Sequence, residues 1–246
     1  TLCAGSRRID FVTHADWYET EKILRAAFPV AVRAPYAAYE IAHGAIWRPT
    51  RMNTSYDCAK YEVCAHKWAD LSEGGYGVAV LNNCKYGYDI HSSVIGITLL
   101  RSPNCPDITA DKGVHDFTYS YYPHKNGWQD GGVVREAFAL NLPPRAYLRG
   151  AQTGELPKTY AFIKTDRGDI VIDAVKPAQD GNGVIIRLYE SESRRGNVSL
   201  TLNLPFDTVR ECSMMEEDLE NSEVKRTDGG FSFFIKPFEV KTFRVR

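Results

Sequence analysis

The sequence predicts an all-β protein, and three of its features point that way. Aromatic residues make up 12% of the 246 residues, and tyrosine alone supplies 14 of them. Short apolar runs recur along the chain, separated by Gly, Pro, Asn and Asp, which is typical of many antiparallel strands. Residues 115–121 alternate polar and apolar side chains almost strictly, as expected of a strand with one buried face.

The predicted strands form two groups on either side of a polar segment. In the first half, they cover residues 36–42, 60–64, 76–81, 94–100, 114–122 and 134–140. In the second half, they cover residues 159–164, 169–175, 184–189, 198–204, 232–235 and 240–245. The segment between them, 149–157, is polar and lacks periodicity, so we expect a domain boundary near residue 150. This gives one domain over residues 1–150 and a smaller one over 151–246.

One segment conflicts with the all-β prediction. Trp17, Glu21, Leu24 and Phe28 recur at helical spacing, and no Gly or Pro interrupts them before Pro29. By pattern alone, this segment predicts an amphipathic helix.

Composition and charge exclude several classes of partner. The formal net charge is −1, with 25% charged and 43% hydrophobic residues, so attraction to nucleic acid or an anionic membrane has no support. No apolar run approaches the ~20 residues that a membrane span needs. The amino terminus lacks the pattern of a signal peptide and lacks an initiator Met, so we expect a fragment, a processed chain or a shortened protein.

The six cysteines do not form a recognisable metal or redox motif. They lie at positions 3, 58, 64, 84, 105 and 212, and no two have C-x-x-C spacing. A chain of this length can bury an adequate core without disulfides, so we expect free thiols. Free thiols favour a reducing compartment, and we expect a cytoplasmic protein.

No short motif identifies a reaction. A glycosidase needs two carboxyl groups at about 5–5.5 or 6.5–9.5 Å, a distance that a sequence cannot give. The six histidines lack the spacing of a metal site, and no G-x-S-x-G segment supports a serine hydrolase. Residues 74–77, GGYG, indicate a turn better than a phosphate-binding loop. The aromatic and polar loops suit carbohydrate, which stacks on rings and bonds through hydroxyls.

A series of longer phrases, all in one order, carries a more specific signal. They are GAIWRPTRMNTS at 44–55, AHKWADLSE at 65–73, LNNCKYGYD at 81–89, LLRSPNCPD at 99–107 and FTYSYYPH at 117–124. This order resembles the carboxy-terminal region of α-mannosidases of glycoside hydrolase family 38, most closely the cytosolic and bacterial branch. Residues 184–190 and 238–243 resemble the final small β-domain of the same family.

The resemblance implies a fold, and it implies that the catalytic groups lie in other domains of the enzyme. It implies a galactose-mutarotase-like β-supersandwich followed by a small carboxy-terminal β-sandwich, with residues 23–28 as a strand despite their periodicity. The family hydrolyses α-mannosides with retention, using an Asp nucleophile, a second carboxylic acid and a divalent metal, usually zinc. Those groups lie in an amino-terminal barrel and a helical domain that no stretch here resembles. We therefore expect no catalytic residue, metal ligand or cofactor in this chain, and an amino-terminal catalytic domain as its partner.

The resemblance also implies residues that contact the sugar, an α-mannoside or oligosaccharide. In related branches a loop with a basic residue followed by acidic ones reaches the site, and Arg101 with Asp107 behind it matches that loop. The alternative is a surface arginine paired with Asp107 or Asp111. Arg51 and Asn53 are further predicted sugar contacts, with a loop that is hydrogen-bonded to itself as the alternative.

Three further candidates and two other functions stay open. Arg48 lies in the same polar phrase as Arg51 and Asn53 and ranks with them, whereas His66 and Lys67, further along the chain, are weaker candidates. The chain could also be a free-standing carbohydrate-binding module, which would bind mannosides alone. A mutarotase-like enzyme would need its own acid and base, and the sequence identifies no such pair.

Overall fold

The chain folds almost entirely into antiparallel β-sheets, which confirms the predicted all-β class. The computed structural model describes residues 1–150, 153–155 and 157–246. The chain divides into two compact units, Thr1–Arg145 and Ala146–Arg246. Within the described residues, no helix is long and apolar enough to cross a membrane.

Unit 1 contains two sheets and three short helices. Its strands are β1 (Ile9–Trp17), β2 (Ile23–Pro29), β3 (Tyr36–Ile41), β4 (Gly44–Pro49), β5 (Val63–Cys64), β6 (Trp68–Ser72), β7 (Tyr76–Asn82), β8 (Gly87–His91), β9 (Val94–Arg101) and β10 (Gly113–Lys125). Its helices are α1 (Ser55–Ala59), α2 (Trp128–Gly131) and α3 (Val133–Asn141). The six-stranded sheet has the order β1-β10-β7-β6-β3-β4, and the four-stranded sheet has the order β2-β9-β8-β5.

The main core of unit 1 lies between these two sheets. One buried cluster joins Tyr39 and Val80 of the six-stranded sheet to Tyr88 and Ile97 of the four-stranded sheet. The strands can supply such a layer because alternate side chains point to opposite faces, so one face of each sheet is buried.

The segment that looked helical is two strands with a turn between them. Trp17 ends β1, and Glu21 adopts a positive φ of 52° in the turn before β2. In β2, the residues Leu24, Ala26 and Phe28 are the half-buried ones, at the two-residue period of a strand. The strand predicted over residues 23–28 is therefore confirmed, and the helical spacing is a coincidence of two shorter patterns.

The prediction of a strand over residues 134–140 is wrong, because this segment is the helix α3. Val133, Val134 and Ala137 are its buried residues, at the spacing of one helix face. Trp128 of α2 is also buried, and its ring centroid lies 4.9 Å from that of Trp68 in β6. The two helices therefore cover part of the six-stranded sheet on the side away from the main core.

Unit 2 is a sandwich of two four-stranded sheets. Its strands are β11 (Ile163–Thr165), β12 (Ile170–Pro177), β13 (Val184–Glu190), β14 (Gly196–Leu202), β15 (Val209–Cys212), β16 (Lys225–Thr227), β17 (Gly230–Ile235) and β18 (Val240–Val245). The sheet orders are β11-β14-β17-β16 and β12-β13-β18-β15. Their core contains Leu188, Leu200, Phe231, Phe233 and Phe243, and the ring centroids of Phe233 and Phe243 lie 4.6 Å apart.

Candidate functional site

The outward face of the four-stranded sheet of unit 1 carries a group of charged and polar side chains. Cross-strand partners point to the same face, and the register pairs Arg25 with Thr98, Thr98 with Gly87, and Gly96 with Asp89. The alternating residues of β8 and β9 point into the core instead. We call this group the polar face, and it comprises Arg25, Glu62, Asp89, Thr98 and Arg101.

Two glycines form the floor of the polar face. A Cβ atom at Gly87 would lie 2.5 Å from Oε1 of Glu62, and one at Gly96 would lie 2.7 Å from Nη2 of Arg25 and overlap the carboxylate of Asp89. Both distances are shorter than van der Waals contact, so any side chain at these positions would displace the charged groups. The absence of a Cβ thus lets two carboxylates lie flat against the sheet.

The structure places Arg101 at the end of β9 with its backbone held on several sides. Its N–H donates to Oδ2 of Asp111 at 2.7 Å, and Ser102 exchanges backbone hydrogen bonds with Glu21 and Lys22. Trp17 Nε1 also donates to Oγ of Ser102 at 2.8 Å. The Arg101 side chain is 57% exposed, so its guanidinium is accessible at the rim of the polar face.

The guanidinium of Arg101 pairs with Glu62, a residue that the sequence did not single out as its partner. Arg101 Nη1 lies 3.7 Å from Oε2 of Glu62. Asp111 contacts the Arg101 backbone rather than its guanidinium. The sequence offered Asp107 or Asp111 as the partner of a surface arginine, whereas the guanidinium faces Glu62, a carboxylate from a different part of the chain.

The carboxylate of Asp107 is hydrogen-bonded within its own turn. Its Oδ1 accepts hydrogen bonds from the Thr109 N–H at 2.8 Å and from the Thr109 hydroxyl at 2.7 Å. These bonds, the one from the hydroxyl first, lower the pKa of the Asp107 carboxyl below its usual value. Asp107 thus lies in the loop that follows Arg101, and its carboxylate is hydrogen-bonded to Thr109.

Arg51 and Asn53 lie in the loop between β4 and α1. Arg51 lines a small cavity of about 20 Å³ together with Arg48, Asp57 and His91. Asn53 is exposed and directly precedes Thr54, the residue that caps α1 by a reciprocal pair of hydrogen bonds with Asp57. The loop is therefore stabilised by its own hydrogen bonds, and it presents Asn53 at the surface.

The remaining candidates, Arg48, Lys67 and His66, each have a local partner. The guanidinium carbon of Arg48 lies 4.6 Å from the ring centroid of Tyr39, and burial lowers the pKa of this arginine. Lys67 Nζ lies 2.8 Å from Oε1 of the buried Glu40, and the His66 ring lies edge-on to Tyr86. These contacts account for the three residues as parts of the fold.

A buried polar cluster in the six-stranded sheet was not predicted. His124 Nε2 lies 2.6 Å from Oδ2 of Asp70, and the Ser72 hydroxyl donates to Oδ1 of the same carboxylate. Both His124 and Asp70 are almost fully buried, and burial raises the pKa of Asp70 against the opposing hydrogen bonds from His124 and Ser72. Ser72 bonds to the carboxylate and not to the imidazole, so the arrangement does not activate a serine nucleophile.

The described residues do not bring together a metal site. Among them, no group of three or more His, Cys, Asp or Glu side chains is placed to hold a metal ion. The donor set that a zinc or other divalent ion requires is thus not assembled among the residues that the structure describes.

Comparison with protein families matches both units separately. The model of the glycosyl hydrolases family 38 C-terminal domain matches residues 1–109. The model of the glycosyl hydrolases family 38 C-terminal beta sandwich domain matches residues 169–243. The two matches follow the order of the two units along the chain.

Curated relatives match along almost the whole chain. Alpha-mannosidase G of Dictyostelium discoideum is 43% identical over 246 residues, which cover 98% of this chain and 22% of the relative. Alpha-mannosidase 2C1 of Homo sapiens is 37% identical over 242 residues, which cover 97% of this chain and 23% of the relative. The chain therefore spans less than a quarter of the length of these relatives.

Solved structures agree on the fold. A crystal structure of an alpha-mannosidase from Enterococcus faecalis V583 superposes with a TM-score of 0.82 at 18% identity, covering 98% of this chain and 28% of that one. A family 38 glycosyl hydrolase from Enterococcus faecalis superposes with a TM-score of 0.79, again at 18% identity and with the same coverage.

Proposed function

Because this chain belongs to glycoside hydrolase family 38, whose two carboxy-terminal domains it carries, we propose that it is the carboxy-terminal part of an α-mannosidase. The observation that carries the proposal is the similarity to alpha-mannosidases over 97–98% of this chain. The enzyme hydrolyses terminal α-mannosides with retention, through a glycosyl-enzyme intermediate. This part of the enzyme supports and closes the sugar site.

In this proposal the catalytic carboxylates and the divalent metal, zinc by the family resemblance, lie in an amino-terminal portion of the same polypeptide. That portion is the main partner of the chain. When bound there, the metal would bind hydroxyl groups of the sugar. The residues of this chain contribute binding and orientation at one side of the site.

Arg101 is the residue that we assign to the sugar. Its guanidinium is accessible, and its backbone is fixed by Asp111 and by the neighbours of Ser102. A planar guanidinium can donate two parallel hydrogen bonds to adjacent hydroxyls or to a carboxylate. A fixed backbone reduces the ordering cost of presenting it. Asp107, Arg51 and Asn53 stay predicted sugar contacts.

The chain alone is expected not to hydrolyse aryl α-mannosides, because the catalytic groups lie outside it. Purified residues 1–246 should show no turnover of an aryl α-mannoside with added zinc, whereas the whole polypeptide should be active. Turnover by the chain alone that disappears on replacing one of its own carboxylates would contradict the proposal. Tight mannoside binding by the chain without turnover would instead favour the carbohydrate-binding module.

We also propose a cytoplasmic location, supported by the state of the cysteines. All six are free in the structure, and five of them are exposed. Exposed thiols at this number are typical of a reducing compartment. Thiol titration of the denatured protein, purified without reductant under anaerobic conditions, should find close to six thiols. A value near zero would point to disulfides and an exported protein.

A further inference from the structure

Glu62 lies between the buried part of the polar face and its accessible rim. It directly precedes the edge strand β5, and its side chain is 19% exposed. Its two carboxylate oxygens have different partners. The Thr98 hydroxyl donates a hydrogen bond to Oε1, and Arg101 Nη1 lies 3.7 Å from Oε2. Thr98 is itself buried, so one end of the carboxylate is fixed to the sheet and the other is directed at Arg101.

Gly87 leaves room for the Glu62 carboxylate, because it has no side chain. It pairs with Thr98 on one side and with Cys64 on the other. A Cβ atom there would lie 2.5 Å from Oε1 of Glu62 and 3.2 Å from Cβ of Thr98. The carboxylate thus occupies the space that a side chain at position 87 would fill.

Arg101 needs such a restraint on its side chain. The hydrogen bond to Asp111 fixes its backbone, but an arginine has several rotatable bonds, so a fixed backbone does not determine where the guanidinium points. An ion pair at 3.7 Å with a half-exposed partner contributes little to the free energy of unfolding. Its effect is expected in the orientation of the guanidinium instead.

We propose that Glu62 is a positioning residue that holds the Arg101 guanidinium in the direction required for contact with the substrate. The proposal rests on the assignment of Arg101 to the sugar. In it, Asp111 sets the backbone of Arg101, Glu62 sets its side chain, and Gly87 provides the space for Glu62.

The test is a double-mutant cycle in the whole polypeptide with an aryl α-mannoside. Glu62→Gln keeps the shape and the acceptor for Thr98 but removes the charge, and it should lower kcat/KM roughly tenfold with an unchanged Tm. In the Arg101→Ala background, Glu62→Gln should change kcat/KM by less than about twofold, because the group that it orients is gone. A merely structural role would not produce this loss of effect.

Two further variants act on the same contact. Glu62→Asp keeps the charge on a shorter side chain and should give a kcat/KM between those of the parent and Glu62→Gln. Gly87→Ala should displace the carboxylate and approach the loss seen with Glu62→Gln. The matched control is Asp116→Asn, which removes an exposed carboxylate paired with His14 at 2.7 Å on the other sheet, and it should leave kcat/KM unchanged.

The outcomes separate this proposal from the proposed function. If Arg101→Ala is slow but Glu62→Gln has normal kinetics, the positioning role is wrong and the sugar contact by Arg101 stands. An equal loss from Glu62→Gln with and without Arg101 also rules out positioning. If Arg101→Ala itself has normal kinetics, both assignments fail.

Discussion

Replacing His124 by alanine is expected to lower the free energy of unfolding of unit 1 by about 3–5 kcal/mol, because it removes the partner of a buried carboxyl group and leaves a cavity in place of the imidazole. His124 and Asp70 expose 0% and 1% of their side chains, and their atoms Nε2 and Oδ2 lie 2.6 Å apart. Without the imidazole, the Asp70 carboxylate keeps the hydrogen bond from Ser72 but remains buried next to an empty space. Urea denaturation followed by circular dichroism measures the effect.

The loss should depend on pH. Burial raises the pKa of Asp70, and the hydrogen bond from His124 opposes that rise. In the variant the native state therefore holds the proton to higher pH than the unfolded state, whose pKa is about 3.9, so stability falls as pH rises above that value. The parent follows the same trend less steeply, because His124 opposes the rise in the pKa of Asp70. The difference in stability between variant and parent should therefore shrink as pH falls, where Asp70 is the neutral acid in both proteins.

A matched control is available in the exposed pair of His14 and Asp116. Its two atoms also lie 2.7 Å apart, but the side chains are 68% and 76% exposed. His14→Ala should therefore cost less than about 1 kcal/mol. Equal losses from His124→Ala and His14→Ala would show that burial of the Asp70 pair contributes little.

Replacing Arg101 by alanine in the whole polypeptide is expected to lower kcat/KM about ten- to hundred-fold. The reason is the loss of a charge-assisted hydrogen bond to the sugar, worth roughly 1.5–3 kcal/mol. The fold should hold, since the fixed contacts of this segment involve the Arg101 N–H and Ser102 rather than the guanidinium. Steady-state kinetics with an aryl α-mannoside measure the effect.

The variant Arg101→Lys distinguishes the contribution of the positive charge from that of the planar guanidinium. Lysine keeps the charge but cannot form the planar fork, so it should recover only part of the lost kcat/KM. If Arg101 merely stabilises its own loop, Tm should fall in both variants while kcat/KM per folded molecule holds. Kinetics and Tm from the same preparation distinguish these results, and normal kinetics in Arg101→Ala would end the assignment to the sugar.

The predicted strands cover most of the observed ones but not β1, β4, β6, β8, β15 and β16. Two segments gave a misleading pattern, each for a physical reason. The predicted strand began at the β-branched residue Val134, yet this residue lies in a helix, where it shares a buried face with Val133 and Ala137. In the opposite case Trp17 and Phe28 suggested one helix, although a turn at Glu21 separates the strands that contain them. In both segments the structure depends on which side chains are buried by tertiary packing, and the local sequence pattern does not contain that information.

The candidate site was only partly accessible to sequence reasoning. The resemblance suggested Arg101 as a sugar contact, and it suggested Asp107, six residues further on, as the carboxylate behind it. The structure instead directs Glu62, 39 residues earlier, at the guanidinium, and uses Asp111 for the backbone. The register of β8 with β9 and of β5 with β8 brings Glu62 to this position, and such long-range pairing leaves no local signal.

The pairing of β1 with β10 has a consequence for the order in which unit 1 can form. Ile9 faces Tyr121 and Trp17 faces Gly113, so the first strand of the chain has its partner about a hundred residues later. Such distant contacts slow folding, since a long loop must close before they are made. During synthesis, β1 must leave the ribosome and wait unpaired until β10 follows. The hairpin of β3 and β4, whose strands are close in the chain, can form in the meantime and offers an early nucleus.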